Sequence, residues 1–297
     1  MILPVAVIGA GPAGCAAAVQ LRRSGSEFLL FEKGRIGGLL NEAQRVENFP
    51  GIPGGLPGRA LALRLKRQLS AAAIRVEPVA VVGLSFRDGR FAVRTAEMTL
   101  AAERVVLACG TVPIAVGPPL DADRLGGRLF TGILPLLKVA GETIAIIGGG
   151  DAACDYALSL AGRNRVHVLV RAGRLRALPL LLERCRRQPR IVIHESTQLT
   201  HAEPGRGGAA IILKTENTQS GRRGEIECQR VLSAIGRTPA LELLDAELRA
   251  ALDGLVGDKK VFLAGDVANG RFRQAAIAAA DGLRAAMKIQ AEVSGCG

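Results

Sequence analysis

The sequence predicts an α/β fold with one domain nested inside another, and three observations carry that prediction. The chain opens on an apolar run, Val5-Ala6-Val7-Ile8, that breaks into Gly9-Ala10-Gly11-Pro12-Ala13-Gly14 and resumes as a helix-forming stretch from Cys15 to Leu21. The same pattern returns at Ile144-Ala145-Ile146-Ile147-Gly148-Gly149-Gly150-Asp151-Ala152-Ala153. Proline-bearing crossings, Pro113 to Pro119 and Ser233 to Pro239, bracket this second copy. Together they predict two Rossmann-like dinucleotide-binding domains of three layers (ββα/βα), with residues 113–235 inserted between residues 1–112 and 236–297.

In the first copy Gly9 permits the tight turn, Gly11 lets backbone approach a pyrophosphate, and Gly14 lets helix and strand pack closely. A second apolar strand, Phe28 to Phe31, ends in Glu32, 18 residues beyond Gly14, where a carboxylate can take a ribose diol. The Gly/Pro-rich segment 34–58, with Gly37-Gly38 and Val46-Glu47-Asn48-Phe49-Pro50-Gly51, predicts a long shaped loop beside a ligand. A helix is expected over Arg59 to Ala72, with leucines 61, 65 and 69 on one face. Alternating strands follow from Ile74 to Leu100 with a hairpin at Asp88-Gly89, then a buried parallel strand, Arg104 to Ala108, ending at Cys109-Gly110.

The second copy keeps a constant offset. Gly148 lies 139 residues after Gly9, and Arg171 lies 139 residues after Glu32. Two gapless copies imply two dinucleotide sites in one polypeptide. They differ at the strand tip, where the first has Glu32 and the second Arg171, with Arg174 and Arg176 close behind. An acid suits a free ribose diol, whereas guanidinium groups suit a 2′-phosphate, so the second site leans to NADP(H). Arg190 to Glu227 reads as strands and turns. Val261 to Asp266 reads as a strand, and Arg273-Gln274-Ala275 leads into an alanine-rich helix through Met287.

Length and composition narrow the function classes. A chain of 297 residues with 48% hydrophobic content suits about two buried cores. Nothing at the N-terminus has signal-peptide character and no apolar run can span a bilayer, which predicts a cytoplasmic protein with no membrane span. The formal charge of +12 gives either a solvated basic surface or a docking face for an acidic partner. Eight Phe, one Tyr and no Trp leave little for base stacking, so nucleic acid is not an expected partner. Six scattered cysteines without a CxxC, and only three histidines, suggest neither a disulfide scaffold nor a metal site.

With both cradles, the Val46 to Gly51 loop, Cys109-Gly110 and the closing Gly265-Asp266-Val267 with Arg273-Gln274-Ala275 in view, the chain resembles the low-molecular-weight thioredoxin reductases over essentially its whole length. The resemblance implies FAD held by residues 1–112 and 236–297, NADPH or NADH held by the inserted domain, and a homodimer. It makes Gly9, Gly11 and Gly14, with Pro12 and Ala13, the FAD pyrophosphate cradle, and Glu32 the adenosine-ribose ligand. Asn48 would lie near the flavin or its ribitol, Asp266 on the ribitol, and Gln274 and Ala275 by the isoalloxazine, where a helix dipole favours a reduced flavin's negative charge. Lys33, Gly38, Leu39, Val79, Ala108, Cys109, Gly110, Gly265 and Arg273 complete the FAD set. Gly148, Gly150 and Ala153, with Asp151, Ala152, Ile235 and Gly236, would serve NAD(P)H. Arg171 and Arg176 match basic 2′-phosphate positions, while Ala172 stands where another arginine is usual.

One departure bears on the reaction. The resembled enzymes carry a CxxC shortly before the second cradle, and Phe130 to Pro135 has no cysteine. The expectation is hydride transfer from NAD(P)H to FAD and then electron transfer to an external acceptor, a small electron-carrier protein such as ferredoxin or flavodoxin, or a small molecule. No catalytic side chain is assigned, because the flavin carries the chemistry. Two alternatives stand beside it: a thioredoxin or low-molecular-weight disulfide reductase using thiols outside the usual CxxC, and a flavin-binding redox sensor without turnover. Cys15 and Cys109 read as packing residues, and Cys296 as a lone tail thiol.

Overall fold

The computed structural model describes residues 2–121, 123–205 and 210–293, so Cys296 lies outside the described residues. The chain divides into two compact units, Met1–Val112 with Thr238–Gly297, and Pro113–Arg237. In chain order the first unit contributes β1 (Ile2–Ile8), α1 (Pro12–Arg23), β2 (Phe28–Phe31), α2 (Gly58–Ala71), β3 (Val76–Glu77), β4 (Gly83–Arg87), β5 (Arg90–Arg94), β6 (Thr99–Leu107) and the crossing strand β7 (Thr111–Pro113). The inserted unit holds β8 (Leu129–Phe130), β9 (Thr143–Ile147), α3 (Asp151–Ala161), β10 (Arg165–Leu169), α4 (Pro179–Arg187), β11 (Ile191–His194), β12 (Thr197–Pro204), β13 (Ile211–Asn217), β14 (Arg223–Cys228) and β15 (Arg230–Ser233). The return crossing is β16 (Arg237–Pro239), followed by α5 (Ala246–Gly257), β17 (Val261–Leu263) and α6 (Ala275–Val293).

The sheet of the first unit runs β3-β2-β1-β6-β5-β4, with β17 also on β6. The long β6 serves two neighbours along one edge. Its Thr99–Ala102 half pairs antiparallel with β5, and Val105–Leu107 pairs parallel with β17. Parallel strands covered on both faces read as unbroken apolar runs, which is why Val5 to Ile8 and Val105 to Leu107 are buried throughout. Val5, Val7 and Val106 pack with α1 and α6, while Ala6, Ile8, Val105 and Leu107 pack with Phe91 and Leu248 on the other face. Helices α1 and α6 approach closely because small residues line the contact: a Cβ added at Gly282 would fall 1.9 Å from the Ala13 carbonyl oxygen.

The expected hairpin is present between β4 and β5, with Asp88 and Gly89 both at positive φ, as a two-residue turn matching the strand twist requires. Helix α6 runs beyond the expected end at Met287 to Val293, because Ile289 is fully buried and continues the apolar face that packs on α1.

In the inserted unit the parallel sheet runs β11-β10-β9-β15-β8. Ile144, Ile146, Val166 and Val168 pack with Ala157 and Cys185 of α3 and α4. The opposite face, through Ala145 and Leu169, packs with Leu213 and Ile226 of the antiparallel sheet β12-β13-β14. That sheet is what Arg190 to Glu227 becomes after β11. Among the described residues no helix is long and apolar enough to cross a membrane.

Candidate functional site

The first cradle is shaped by three close approaches. Gly9 has φ +102, and a Cβ there would meet the Ala108 carbonyl oxygen at 2.4 Å. A Cβ at Gly14 would fall 1.7 Å from the Gly9 carbonyl oxygen. At Gly11, by contrast, a Cβ would meet nothing within 4 Å, so the backbone faces open space. Gly11 caps α1 without a side-chain hydrogen bond and no acid stands in the first turn, which leaves the helix N-terminus with N–H groups and a positive dipole end for an anion. The Glu32 carboxylate closes the far end, its Oε2 accepting from Ala10 N at 2.7 Å and its Oε1 from Gly34 N at 2.8 Å. An open backbone, a bare helix N-terminus and an anchored acid fit a dinucleotide with a free ribose diol.

The loop after β2 comes back to this cradle. Gly37 N donates to Ala10 O at 2.7 Å, and a Cβ at Gly38 would lie 3.4 Å from the Gly11 Cα. Asn41, which the motif reading did not single out, holds the loop with Nδ2 bonds to Ile36 O and Gly38 O. Leu39 is half-buried there and Lys33 exposed. Ala108, Cys109 and Gly110 continue the end of β6 beside the cradle. Val79 lies past β3, half-buried against the Ala6 face of the sheet. Asn48 and Gln274, remote in sequence, meet through an Asn48 Nδ2 to Gln274 Oε1 hydrogen bond of 2.9 Å, which ties the loop to the entry of α6.

Gly265 and Asp266 follow β17, and a Cβ at Gly265 would meet the Ala13 Cβ at 2.9 Å. The turn is held by Asp281 of α6, whose Oδ2 accepts from Gly265 N at 3.3 Å and Asn269 Nδ2 at 2.5 Å. No local motif flagged Asp281, because its partners lie one turn of tertiary structure away. Arg273 is half-buried and Ala275 opens α6.

The second cradle repeats the first with other neighbours. A Cβ at Gly148 would meet Ala234 O at 2.3 Å, one at Gly149 would meet the Val170 side chain at 2.7 Å, and one at Gly150 would meet nothing within 4 Å. Ala153 is fully buried, whereas Asp151 and Ala152 are exposed. The Asp151 carboxylate is turned to the loop beyond β10, accepting from Leu178 N at 2.8 Å, and Arg176 N donates to Gly149 O at 2.6 Å. Arg171, Arg174 and Arg176 are exposed on that loop, and none makes an ion pair among the described residues. Ile235 is exposed past β15, and Gly236 O accepts from Ile114 N at 3.1 Å at the crossing. The arrangement fits a dinucleotide whose ribose carries an anionic substituent.

The five described cysteines are free thiols. Cys15 donates Sγ–H to Ala10 O at 3.2 Å, and burial, with Glu32 nearby, pushes its pKa up to about 12. Cys109 donates to Ala240 O at 3.0 Å, and burial pushes it up to about 11. Cys228 is likewise raised to about 12 by burial. Cys154 and Cys185 hydrogen-bond to each other between α3 and α4, a bond that with burial holds the Cys154 proton in place. Low-pKa, accessible thiols are the reactive kind, and neither Cys15 nor Cys109, the two beside the first cradle, is one.

The profile of the pyridine nucleotide-disulphide oxidoreductases matches residues 3–282. The NADPH-dependent thioredoxin reductase 3 of Arabidopsis thaliana is 30% identical over 305 residues, covering 96% of this chain and 57% of that protein. The chain therefore spans little more than half the length of that relative. The thioredoxin reductase of Yarrowia lipolytica is 30% identical, with 97% of each chain covered. Among solved structures, Lactococcus lactis thioredoxin reductase superposes with a TM-score of 0.87 at 23% identity, and the T. acidophilum enzyme with 0.85 at 25%, each covering 99% of both chains. The twin cradles, the fold and these matches agree: the chain belongs to the pyridine nucleotide-disulphide oxidoreductase family, on its thioredoxin reductase-like branch of FAD- and NADPH-dependent enzymes.

Proposed function

We propose that this protein is an NADPH-dependent flavoenzyme that reduces a disulfide on a separate molecule without an internal dithiol relay. When bound, FAD supplies the chemistry, accepting a hydride from the pyridine nucleotide and releasing electrons to the acceptor. The chain supplies binding and orientation. The bare N-terminus of α1 holds the pyrophosphate, Glu32 the adenosine ribose, and the Asn48–Gln274 pair sets the loop and the entry of α6 around the ring system. In the inserted unit the N-terminus of α3 receives the second pyrophosphate, and Arg171 and Arg176 receive the 2′-phosphate. The observation that carries the reading is the exchange of Glu32 for Arg171 at one position of two otherwise matching cradles.

The acceptor follows from the relatives and the thiols. Proteins named thioredoxin reductase favour a disulfide over a ferredoxin-type carrier, and membership in a family of enzymes sets aside a sensor without turnover. With no CxxC, and with Cys15 and Cys109 held as protonated thiols, the disulfide and its resulting thiols belong to the partner. The formal charge of +12 keeps a second reading in view, direct electron transfer to an acidic carrier protein. Anaerobic stopped-flow mixing of the yellow protein with NADPH and NADH should bleach the oxidised-flavin band faster with NADPH. Turnover with oxidised thioredoxin or a low-molecular-weight disulfide, and not with ferredoxin, supports the first reading. The reverse selects the second, and no bleaching by either nucleotide overturns both.

A further inference from the structure

The loop that carries Arg171, Arg174 and Arg176 hangs from two anchors. One is the second cradle, through Arg176 N on Gly149 O and Leu178 N on the Asp151 carboxylate. The other lies outside the mononucleotide-binding half, in the turn between β13 and β14. Ser196 N donates to Ala172 O at 2.9 Å, and Thr218 N donates to Ser196 O at 2.6 Å. The Thr218 hydroxyl stands 3.2 Å from Ser196 O and 3.4 Å from Arg171 O. A hydroxyl has one proton, so it serves one of these carbonyls at a time and links the two segments in either case. Ser196, buried and at positive φ, is the fixed point between them.

The next residue faces the same loop. Asn217 Oδ1 accepts from Gln219 N at 3.1 Å and Ser220 N at 2.9 Å, which fixes the turn. The Gln219 carboxamide nitrogen then lies 3.4 Å from where a Cβ of Gly173 would stand, in the middle of the three arginines. That side chain is exposed and makes no hydrogen bond among the described residues. Its two N–H groups are donors, and a phosphate oxygen is an acceptor.

We propose that the β13–β14 turn completes the ribose-phosphate end of the second cradle, with Thr218 positioning Arg171 and Gln219 donating to a 2′-phosphate where Ala172 offers no donor. The inference rests on reading the second cradle as an NADPH site. A ligand with a 2′-hydroxyl in place of the phosphate gains little from either residue, so the turn acts on selectivity.

The test is calorimetric titration of the FAD-loaded protein with adenosine 2′,5′-bisphosphate and, separately, 5′-AMP. Gln219→Ala should weaken the bisphosphate about fivefold, one neutral hydrogen bond to a charged group, and leave AMP unchanged. Gln219→Glu should weaken it at least tenfold by placing a like charge on the phosphate. Thr218→Val should weaken the bisphosphate alone, Thr218→Ser should restore it, and Thr218→Val should add nothing in an Arg171→Ala background. Unaltered bisphosphate binding in Gln219→Glu and Thr218→Val, or equal losses for both ligands, would overturn the proposal while leaving the NADPH reading intact. A wild-type protein that binds both ligands equally, with Arg171→Ala without effect, would remove the NADPH reading and this one with it.

Discussion

Asn48 and Gln274 stand 226 residues apart in the chain and share one hydrogen bond, Nδ2 to Oε1 at 2.9 Å. Both are exposed, so the bond adds little to folding, about 1 kcal/mol or less. Its value lies in fixing the loop against the entry of α6. Asn48→Ala should therefore leave the melting temperature of the apoprotein nearly unchanged and weaken FAD retention about tenfold, read by fluorescence of flavin released on dilution. Wild-type retention would show that the pair does not serve the cofactor.

The glycines of the cradles separate folding from binding. Gly11→Val and Gly150→Val place side chains in open space, so both variants should fold as apoproteins. The first should purify without flavin, whereas the second should purify yellow and resist bleaching by NADPH. Gly14→Ala drives a methyl into the Gly9 carbonyl oxygen and should cost about 3 kcal/mol or more, seen as loss of soluble protein or a fall in melting temperature. Equal behaviour of Gly11→Val and Gly14→Ala would contradict this division.

His167 and His194 pair across β10 and β11, Nδ1 to Nε2 at 2.9 Å, with rings stacked at 5.1 Å. Burial, the neighbouring His194 and Arg165 lower the His167 pKa to about 4, and burial lowers that of His194. An unfolded histidine titrates near 6.5, so between that value and about pH 4 the unfolded chain binds more protons than the folded one. The stability associated with the pair is thus complete above pH 6.5 and is lost as pH falls towards 4, by about 2 kcal/mol for half-buried groups. Differential scanning calorimetry between pH 7 and pH 4.5 should show this acid sensitivity shrinking in His167→Asn. An unchanged pH profile in that variant would assign the effect to other groups.

The cysteines yield a prediction about the acceptor. Because Cys15 and Cys109 are held as protonated thiols by burial, Cys15→Ala and Cys109→Ser should keep NADPH-driven disulfide reduction within about twofold. Activity lost from either variant while its flavin content stays at the wild-type level would point to an internal thiol relay.

Much of the fold was legible because its signals are local. Alternation between apolar strand, glycine turn and helix is written within about ten residues, and the constant offset between the copies shows duplication without any coordinates. The hairpin at Asp88-Gly89 was readable for the same reason, since a two-residue turn has its own chemistry. Asn41, Asp281 and the Ala172–Ser196–Thr218 brace were not readable. Each is an ordinary polar residue whose partner is brought in by the sheet order, and no spacing rule connects Thr218 with Arg171.

By itself the sequence determined that there are two cradles, which one carries an acid and which a cluster of arginines, and that no CxxC follows. These are properties of residue type and short-range spacing. Only the tertiary structure decided which N–H groups hold the Glu32 carboxylate, that Asn48 meets Gln274, that Cys15 and Cys109 are buried donors, and that a turn of the second sheet reaches the arginine loop. Those relations depend on how strands far apart in the chain are ordered, and pairing over such separations is set by packing of the whole core.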